Sequence, residues 1–243
     1  MTYCAGLLLN DGVVLASDTR TNAGLDNIAT FSKMRIWERP GDRVVVLLSA
    51  GNLAVSQAVA TLLDERAETE APEGETLFTA TSMFQVARLV GAVVREVRQM
   101  DGEALEAMSE SFSATFLLAG QIEGGQVRLF QVYAAGNFIE ATQDTPFLQI
   151  GEHKYGKPIL DRVANMDMAP AEAAKLLLLS FDSTLRSNLS VGMPIDLMIY
   201  RKDALKVELK RRYEADDAYF KKISESWSEA LRSSFGSVPD FEI

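Results

Sequence analysis

The chain has 243 residues, of which 47% are hydrophobic and 24% charged, and its formal net charge is −10. That length and apolar content support one sizeable core, and no linker-like shift in composition divides it, so a single domain over 1–243 is expected. The acidic excess argues against a nucleic-acid or anionic-membrane surface, which leaves proteins and small molecules as partners.

Tyr3 to Leu9 and Val13 to Ala16 are apolar runs separated by Asn10-Asp11-Gly12, the pattern of a β-hairpin. A third strand is expected over Ile28 to Trp37, and a fourth over Arg43 to Ser49, ending at Ala50-Gly51-Asn52. Two helices follow, Leu53 to Ala67 and Ser82 to Met100, the second with Met83, Val86, Val90, Val93 and Val97 on one stripe. Strands return at Phe112 to Leu118, Val127 to Tyr133 and Phe138 to Ala141. A helical pair is then expected over Tyr155 to Ala164 and Pro170 to Leu185, the latter opening with Pro-Ala-Glu. Ile195 to Arg201 and Leu205 to Lys210 read as the last strands. In the final helix, Asp216 to Phe235, residues Phe220, Ile223, Trp227, Leu231 and Phe235 recur at helical steps. That stripe fits either packing on its own domain or a subunit contact. Blocks of strands alternating with helix pairs suggest two packed sheets flanked by helices.

Chemistry concentrates near the start. Thr2 is preceded only by Met1. An N-terminal threonine is nucleophile and base in one residue, because a free α-amine titrates at about 7.7–8.0 and accepts the hydroxyl proton. The reading requires removal of Met1, since an acylated nitrogen has no useful basicity. Lys33 sits in a strand pattern, where a lysine normally faces solvent. If the third strand folds beside the first, its ammonium stands next to Thr2 and favours the neutral amine. Asp18 ends the second strand, where it caps a turn or orients Lys33. Gly51 makes a tight strand-to-helix turn or aims a backbone N–H at a developing oxyanion.

These residues, with Gly6, the stretch Asp11-Gly12-Val13-Val14-Leu15-Ala16-Ser17-Asp18-Thr19-Arg20 and Ser49-Ala50-Gly51, resemble the proteasome β-type N-terminal-nucleophile hydrolases. More narrowly, Gly151-Glu152-His153-Lys154-Tyr155-Gly156-Lys157-Pro158, Arg186-Ser187-Asn188-Leu189-Ser190 and the long terminal helix are similar to Anbu, the bacterial ancestral β-subunit group. The resemblance implies an α+β, four-layer αββα sandwich, self-assembly into rings or spirals, and threonine-dependent amide hydrolysis of peptide or protein substrates. It assigns Thr2 as nucleophile and base, Lys33 as the group that tunes it, Asp18 as the partner of Lys33, and the Gly51 N–H to the oxyanion hole. It also implies departures. Glu152 stands where the family usually carries a serine, and it is expected to approach the Thr2 amine or Lys33. Ser190 is retained, with Ser187 three residues before it in place of an aspartate. By the same resemblance Thr21, Asn22, Phe31, Ser49 and Leu53 shape the substrate pocket.

Other chemistries find little material. His153 is the only histidine, which leaves neither a Ser-His-Asp triad nor a histidine-rich metal site, and a surface or capping role fits it best. Cys4, the only cysteine, allows no intrachain disulfide and reads as a small apolar strand residue. The N-terminus lacks a basic segment followed by an apolar one, so a reducing cytoplasm is expected. The longest apolar runs, such as Val44 to Leu48, fall far short of the roughly 20 residues of a membrane span. The acidic run Asp64 to Glu75 reads as a solvated loop. No phosphate-cradling glycine motif is present and no cofactor is required. Two classes remain: a self-compartmentalising threonine peptidase or amidase, and a non-proteolytic assembly subunit that keeps the fold.

Overall fold

A computed structural model describes residues 2–22 and 28–242 of the chain, with side chains for all of these except Asn22 and Ile28. The N-terminal hairpin forms as β1 (Tyr3–Leu9) and β2 (Gly12–Asp18), whose residues are all buried. Uniform apolarity of this kind marks strands covered on both faces. Next come a short ribbon, β3 (Arg20–Asn22) with β4 (Ile28–Thr30), then β5 (Met34–Arg39) and β6 (Arg43–Gly51). Helices α1 (Leu53–Ala67) and α2 (Met83–Ala107) follow. Both starts are capped: Asn52 Oδ1 accepts from the Ala54 and Val55 N–H groups at 3.0 and 3.3 Å, and Ser82 Oγ accepts from Gln85 N–H at 3.2 Å.

The second half contains β7 (Ala114–Ile122), β8 (Arg128–Val132), β9 (Phe138–Glu140), β10 (Phe147–Gly151), α3 (Lys157–Val163) and α4 (Pro170–Ser187). It closes with β11 (Ile195–Arg201), β12 (Leu209–Tyr213) and α5 (Ala218–Phe235). One sheet has the order β10-β1-β2-β11-β12 and the other β5-β6-β7-β8-β9, with every pairing antiparallel. Cys4, Leu15, Leu48, Leu117 and Met198 fill the space between the sheets. Val55, Val90 and Val93 pack with Val45, Leu47 and Phe116 on the outer face of the second sheet, while Leu177 and Phe181 pack with Tyr3, Leu7 and Leu197 on that of the first. The result is the expected four-layer αββα sandwich with α5 added at one side.

Several elements differ from the sequence reading. The expected third strand over Ile28 to Trp37 is two strands on different sheets, and Lys33 lies in the connection between them. β5 pairs with β6 and does not fold beside β1, whose neighbours are β2 and β10. β3 and β10 had no expectation, since one is three residues long and the other a short run following Pro146. The last strand begins at Leu209 rather than Leu205 and carries Lys210, Arg211 and Arg212, the charge-rich makeup of a sheet edge. α2 continues past Asp101-Gly102 to Ala107. The stripe on α5 divides: Phe220 is buried and Ile223 packs on the domain core, whereas Leu231 and Phe235 are exposed. No helix among the described residues is long and apolar enough to cross a membrane.

Candidate active site

Thr2 enters β1 buried, and the backbone on both sides of it is held. Its carbonyl accepts the Glu152 N–H at 2.7 Å, which extends the β1–β10 pairing by one step beyond Tyr3 opposite Gly151. This approach requires glycine at 151, because the φ there is +80° and a Cβ would stand 1.9 Å from the Thr2 carbonyl oxygen. The next N–H, that of Tyr3, donates to Asp18 Oδ1 at 3.0 Å. A carboxylate from the end of β2 therefore fixes the entry of the strand that carries Thr2.

Asp18 is fully buried and serves three donors. Oδ1 also accepts Lys33 Nζ at 2.6 Å, and Oδ2 accepts the Gly192 N–H at 3.3 Å. Burial is the largest influence on this carboxyl and pushes its pKa above the ordinary carboxylate value; the Lys33 ammonium and the two N–H donors act in the opposite sense. Lys33, whose side chain is only 4% exposed, gives a second hydrogen to the Arg20 carbonyl at 2.6 Å. Its own carbonyl accepts the Ser49 N–H at 3.1 Å, tying the β4–β5 connection to β6. A lysine in the β4–β5 connection, just before the second sheet, thus reaches the end of the first. A buried ammonium needs such partners, since an unpaired one costs several kcal/mol, on the order of the desolvation penalty per ion.

Gly51 closes β6 opposite Ala114 and immediately precedes the Asn52 cap of α1. Its φ is +110°, and a Cβ would meet the Ser113 carbonyl oxygen at 2.0 Å. Ser49 and Leu53 flank it and line a cavity of about 350 Å³ together with Lys33, Arg35, Gln57 and Phe116. Thr21 and Asn22 stand on β3; Thr21 is not among the described residues lining that cavity, and its Oγ1 is buried without a hydrogen-bond partner among the described residues. The Asn22 side chain and Met1 lie outside the described residues. Phe31 is 39% exposed, with its N–H on the Thr19 carbonyl. A larger cavity, about 570 Å³, opens at the other end of the sandwich beside Asn10, Arg128, Glu140 and Lys202.

The auxiliary residues divide. Glu152 meets Thr2 through its backbone, while its carboxylate Oε2 accepts Asn188 Nδ2 at 2.9 Å. Asn188 Oδ1 in turn accepts the Ser190 N–H at 2.8 Å, at the head of the turn whose Gly192 N–H reaches Asp18. Ser187 is exposed at the end of α4. Asn188 is the residue that sequence reasoning passed over; an asparagine two positions before Ser190 is a turn former, which was the available signal. His153 is exposed, with Nδ1 3.1 Å from the Gly151 carbonyl oxygen. Cys4 is buried, Sγ donates to the Ser49 carbonyl at 3.6 Å, and burial pushes its thiol pKa far up, as befits a packing residue. Among the described residues, no group of three or more His, Cys, Asp and Glu side chains is placed to hold a metal ion.

A double-sheet αββα sandwich whose first strand follows a threonine, with a buried Asp18–Lys33 pair that holds the next N–H, has the architecture of the proteasome-type proteins. The chain matches the family of proteasome subunits over residues 2–199 and belongs to that family. Solved structures of Anbu are similar along their whole length. One, an Anbu (Gly-1) mutant from Hyphomicrobium sp. strain MC1, is 56% identical with both chains covered in full and a TM-score of 0.94. Anbu (ancestral beta-subunit) from Yersinia bercovieri is 46% identical, with coverage of 100% of this chain and 99% of that one and a TM-score of 0.92. A structure described as the helical assembly of the Anbu complex from Pseudomonas aeruginosa is also 46% identical, with coverage of 99% and 98% and a TM-score of 0.93. A search of curated proteins found no match.

Proposed function

We propose that the chain is a threonine-dependent amide hydrolase acting on peptides or proteins within an assembly of its own copies. The observation that carries this reading is the buried Lys33–Asp18 pair, whose carboxylate also holds the peptide N–H directly after Thr2. In this reading Met1 is removed. Thr2 Oγ attacks the substrate carbonyl carbon and its proton passes to the α-amine, which the Lys33 charge keeps in its neutral form. The Gly51 N–H stabilises the resulting oxyanion. Collapse breaks the C–N bond, the departing amine takes the proton, and water, deprotonated by the same α-amine, cleaves the ester and restores the hydroxyl. Glu152 and Ser190, joined through Asn188, belong to the supporting network around the amine, and Ser187, exposed at the end of α4, stands outside it.

A peptide epoxyketone tests the reading, because its double attachment needs both the hydroxyl and a free amine on one residue. Intact mass spectrometry of protein that begins at Thr2 is expected to show a stoichiometric adduct that disappears in Thr2→Ala. Protein with a free Thr2 that takes up no adduct, or Thr2→Ala that still does, would overturn it. The second reading, an assembly subunit without efficient turnover, draws on the exposed apolar end of α5 and on the carboxylate of Glu152 where a hydroxyl is usual. Self-assembly is common to both readings, and the helical assembly described for the Pseudomonas aeruginosa relative supports it.

A further inference from the structure

A second buried carboxylate, Asp196, lies one pairing step from Asp18. β11 sets Ile195 opposite Asp18 and Asp196 opposite Ser17, and β12 sets Arg212 opposite Asp196 on the other side. Alternation along β11 puts Leu197 on the outer face and Asp196 with Met198 on the face turned towards the second sheet. Asp196 is 2% exposed, in a space whose other occupants include Cys4, Leu15 and Leu48. Arg212 Nε donates to its Oδ1 at 2.7 Å and Nη2 to its Oδ2 at 2.9 Å, and Ser32 Oγ donates to the same Oδ2 at 2.9 Å. The Arg212 pair alone is a weak reason for a charge here, because a buried ion pair is often no more stabilising than an apolar pair of the same size. The Ser32 bond does what an apolar pair could not: it ties β11 to the residue before Lys33.

Phe31, Ser32 and Lys33 join β4 to β5, and each has its own anchor. The Phe31 N–H donates to the Thr19 carbonyl at 2.9 Å, and the Lys33 carbonyl accepts the Ser49 N–H from β6. The Ser32 hydroxyl has one hydrogen, for which the Met34 carbonyl at 3.3 Å competes; the nearer, charged oxygen of Asp196 is the stronger acceptor. Ser32 is exposed, so this bond and not packing fixes it.

We infer that Asp196 is a positioning residue: by holding Ser32 it fixes the β4–β5 connection, and through it the place of the Lys33 ammonium relative to Thr2. The inference rests on the hydrolase reading above, in which the Lys33 charge keeps the Thr2 α-amine neutral. Asp18 and the Arg20 carbonyl hold the lysine at its tip, and Asp196 holds it at its root. A shift of the backbone under the side chain carries the ammonium with it, and a displacement of about 1 Å in a catalytic group costs up to about a hundredfold in rate.

The test is the rate of Thr2 modification by a peptide epoxyketone, followed by intact mass over a range of concentration and pH. Ser32→Ala is expected to lower the limiting rate about three- to tenfold, in line with part of the worth of one charge-assisted hydrogen bond, and to leave the half-saturating concentration as it is. A lysine free to draw away from the amine lets the amine pKa rise, so the acid limb of the profile moves to higher pH. The charged side chains around the connection are Asp18 on β2, Arg35 on β5 with its partner Asp64 on α1, Asp196 on β11 and Arg212 on β12. Ser32→Ala alters none of them, so a moved limb reports a moved Lys33. Ser32→Thr keeps the hydroxyl and is expected to recover most of the rate. In an Asp196→Asn background, where the acceptor has lost its charge, Ser32→Ala is expected to cost less than in the unaltered chain. Because Ser32 also lines the cavity beside Lys33, a change confined to the half-saturating concentration would mark it as a substrate contact and overturn the inference. An unaltered rate and profile in Ser32→Ala, or an equal cost in both backgrounds, would overturn it too and leave the hydrolase standing. Unaltered protein that begins at Thr2 and takes up no epoxyketone overturns the hydrolase reading and the inference with it.

Discussion

At the scale of single residues, the site is organised around one buried carboxylate. Asp18 joins the Thr2–Tyr3 backbone, Lys33 and the Gly192 turn, so its removal separates three pieces at once. Asp18→Asn leaves the Lys33 ammonium buried without a counter-charge and is expected to destabilise the fold by about 3–5 kcal/mol, measurable by denaturant unfolding. Burial raises the Asp18 pKa above its unfolded value, and this fixes a sign. Between those two values the folded chain holds a proton that the unfolded chain releases, so this group's contribution to stability falls as pH rises through the window and is level above it. On the proposed hydrolase reading both the Thr2 α-amine and Asp18 act unprotonated, so the acid limb of kcat/KM is expected above the ordinary carboxylate range, and a limb at or below that range would contradict the reading. Asn188 acts at one remove. Asn188→Asp sets a second carboxylate against Glu152 in place of the Nδ2 donor, and it is expected to slow Thr2 modification and shift its pH profile while costing only about 1–2 kcal/mol of stability. A rate and a profile equal to those of the unaltered protein would mean that the Asn188 bridge is structural alone.

At the scale of elements, the legible parts of the sequence were those whose burial is uniform or periodic. β1, β2 and β6 announce themselves as continuous apolar runs because they are covered on both faces, and α2 as a stripe because it is covered on one. Lys33 was legible as a member of the site but not in its position. A strand propensity running from Ile28 to Trp37 gave no hint that the chain leaves the ribbon and joins the other sheet. The break is set by tertiary partners, the Arg20 carbonyl and the Ser49 N–H, which no local pattern records. β10 was missed for a related reason: its value to the fold lies in pairing with β1 and in the Glu152 N–H that holds Thr2, both remote in sequence. Gly51 was legible as a strand-to-helix glycine, and the structure supplies the reason. With φ at +110° and the Ser113 carbonyl where a Cβ would stand, Gly51→Ala is expected to cost about 1–3 kcal/mol of stability and to displace the end of β6. A thermal unfolding scan together with the rate of Thr2 modification checks both parts, and unchanged values of the two would show that the position tolerates a side chain.

At the scale of the whole molecule, the four layers are complete before α5 begins, and only the first half of α5 packs on them. Asp217 Oδ1 caps the helix on the Phe220 N–H at 2.9 Å, Phe220 enters the core, and Ser224 Oγ donates to Asp182 on α4 at 2.7 Å. The intrachain reading of the stripe applies to its first half, where Phe220 and Ile223 pack on the core, and the apolar end beyond Trp227 is where a subunit contact is proposed. Leu231 is 51% exposed, Phe235 82% and Phe241 90%, an apolar series on one terminal segment that a solitary subunit leaves in water. If subunits associate through this end, each large side chain buried contributes about 1.5–3 kcal/mol, so charging two of them outweighs what most interfaces can absorb. The double variant Leu231→Asp, Phe235→Asp is expected to keep its circular dichroism spectrum, because neither side chain is part of the core, and to unfold at the midpoint of the unaltered protein diluted to single chains. Its mass by light scattering is expected to fall from that of the assembly towards that of a single chain over a concentration range in which the unaltered protein stays associated. An assembly of unchanged mass in the double variant would locate the subunit contact elsewhere on the sandwich and leave the end of α5 as a surface helix.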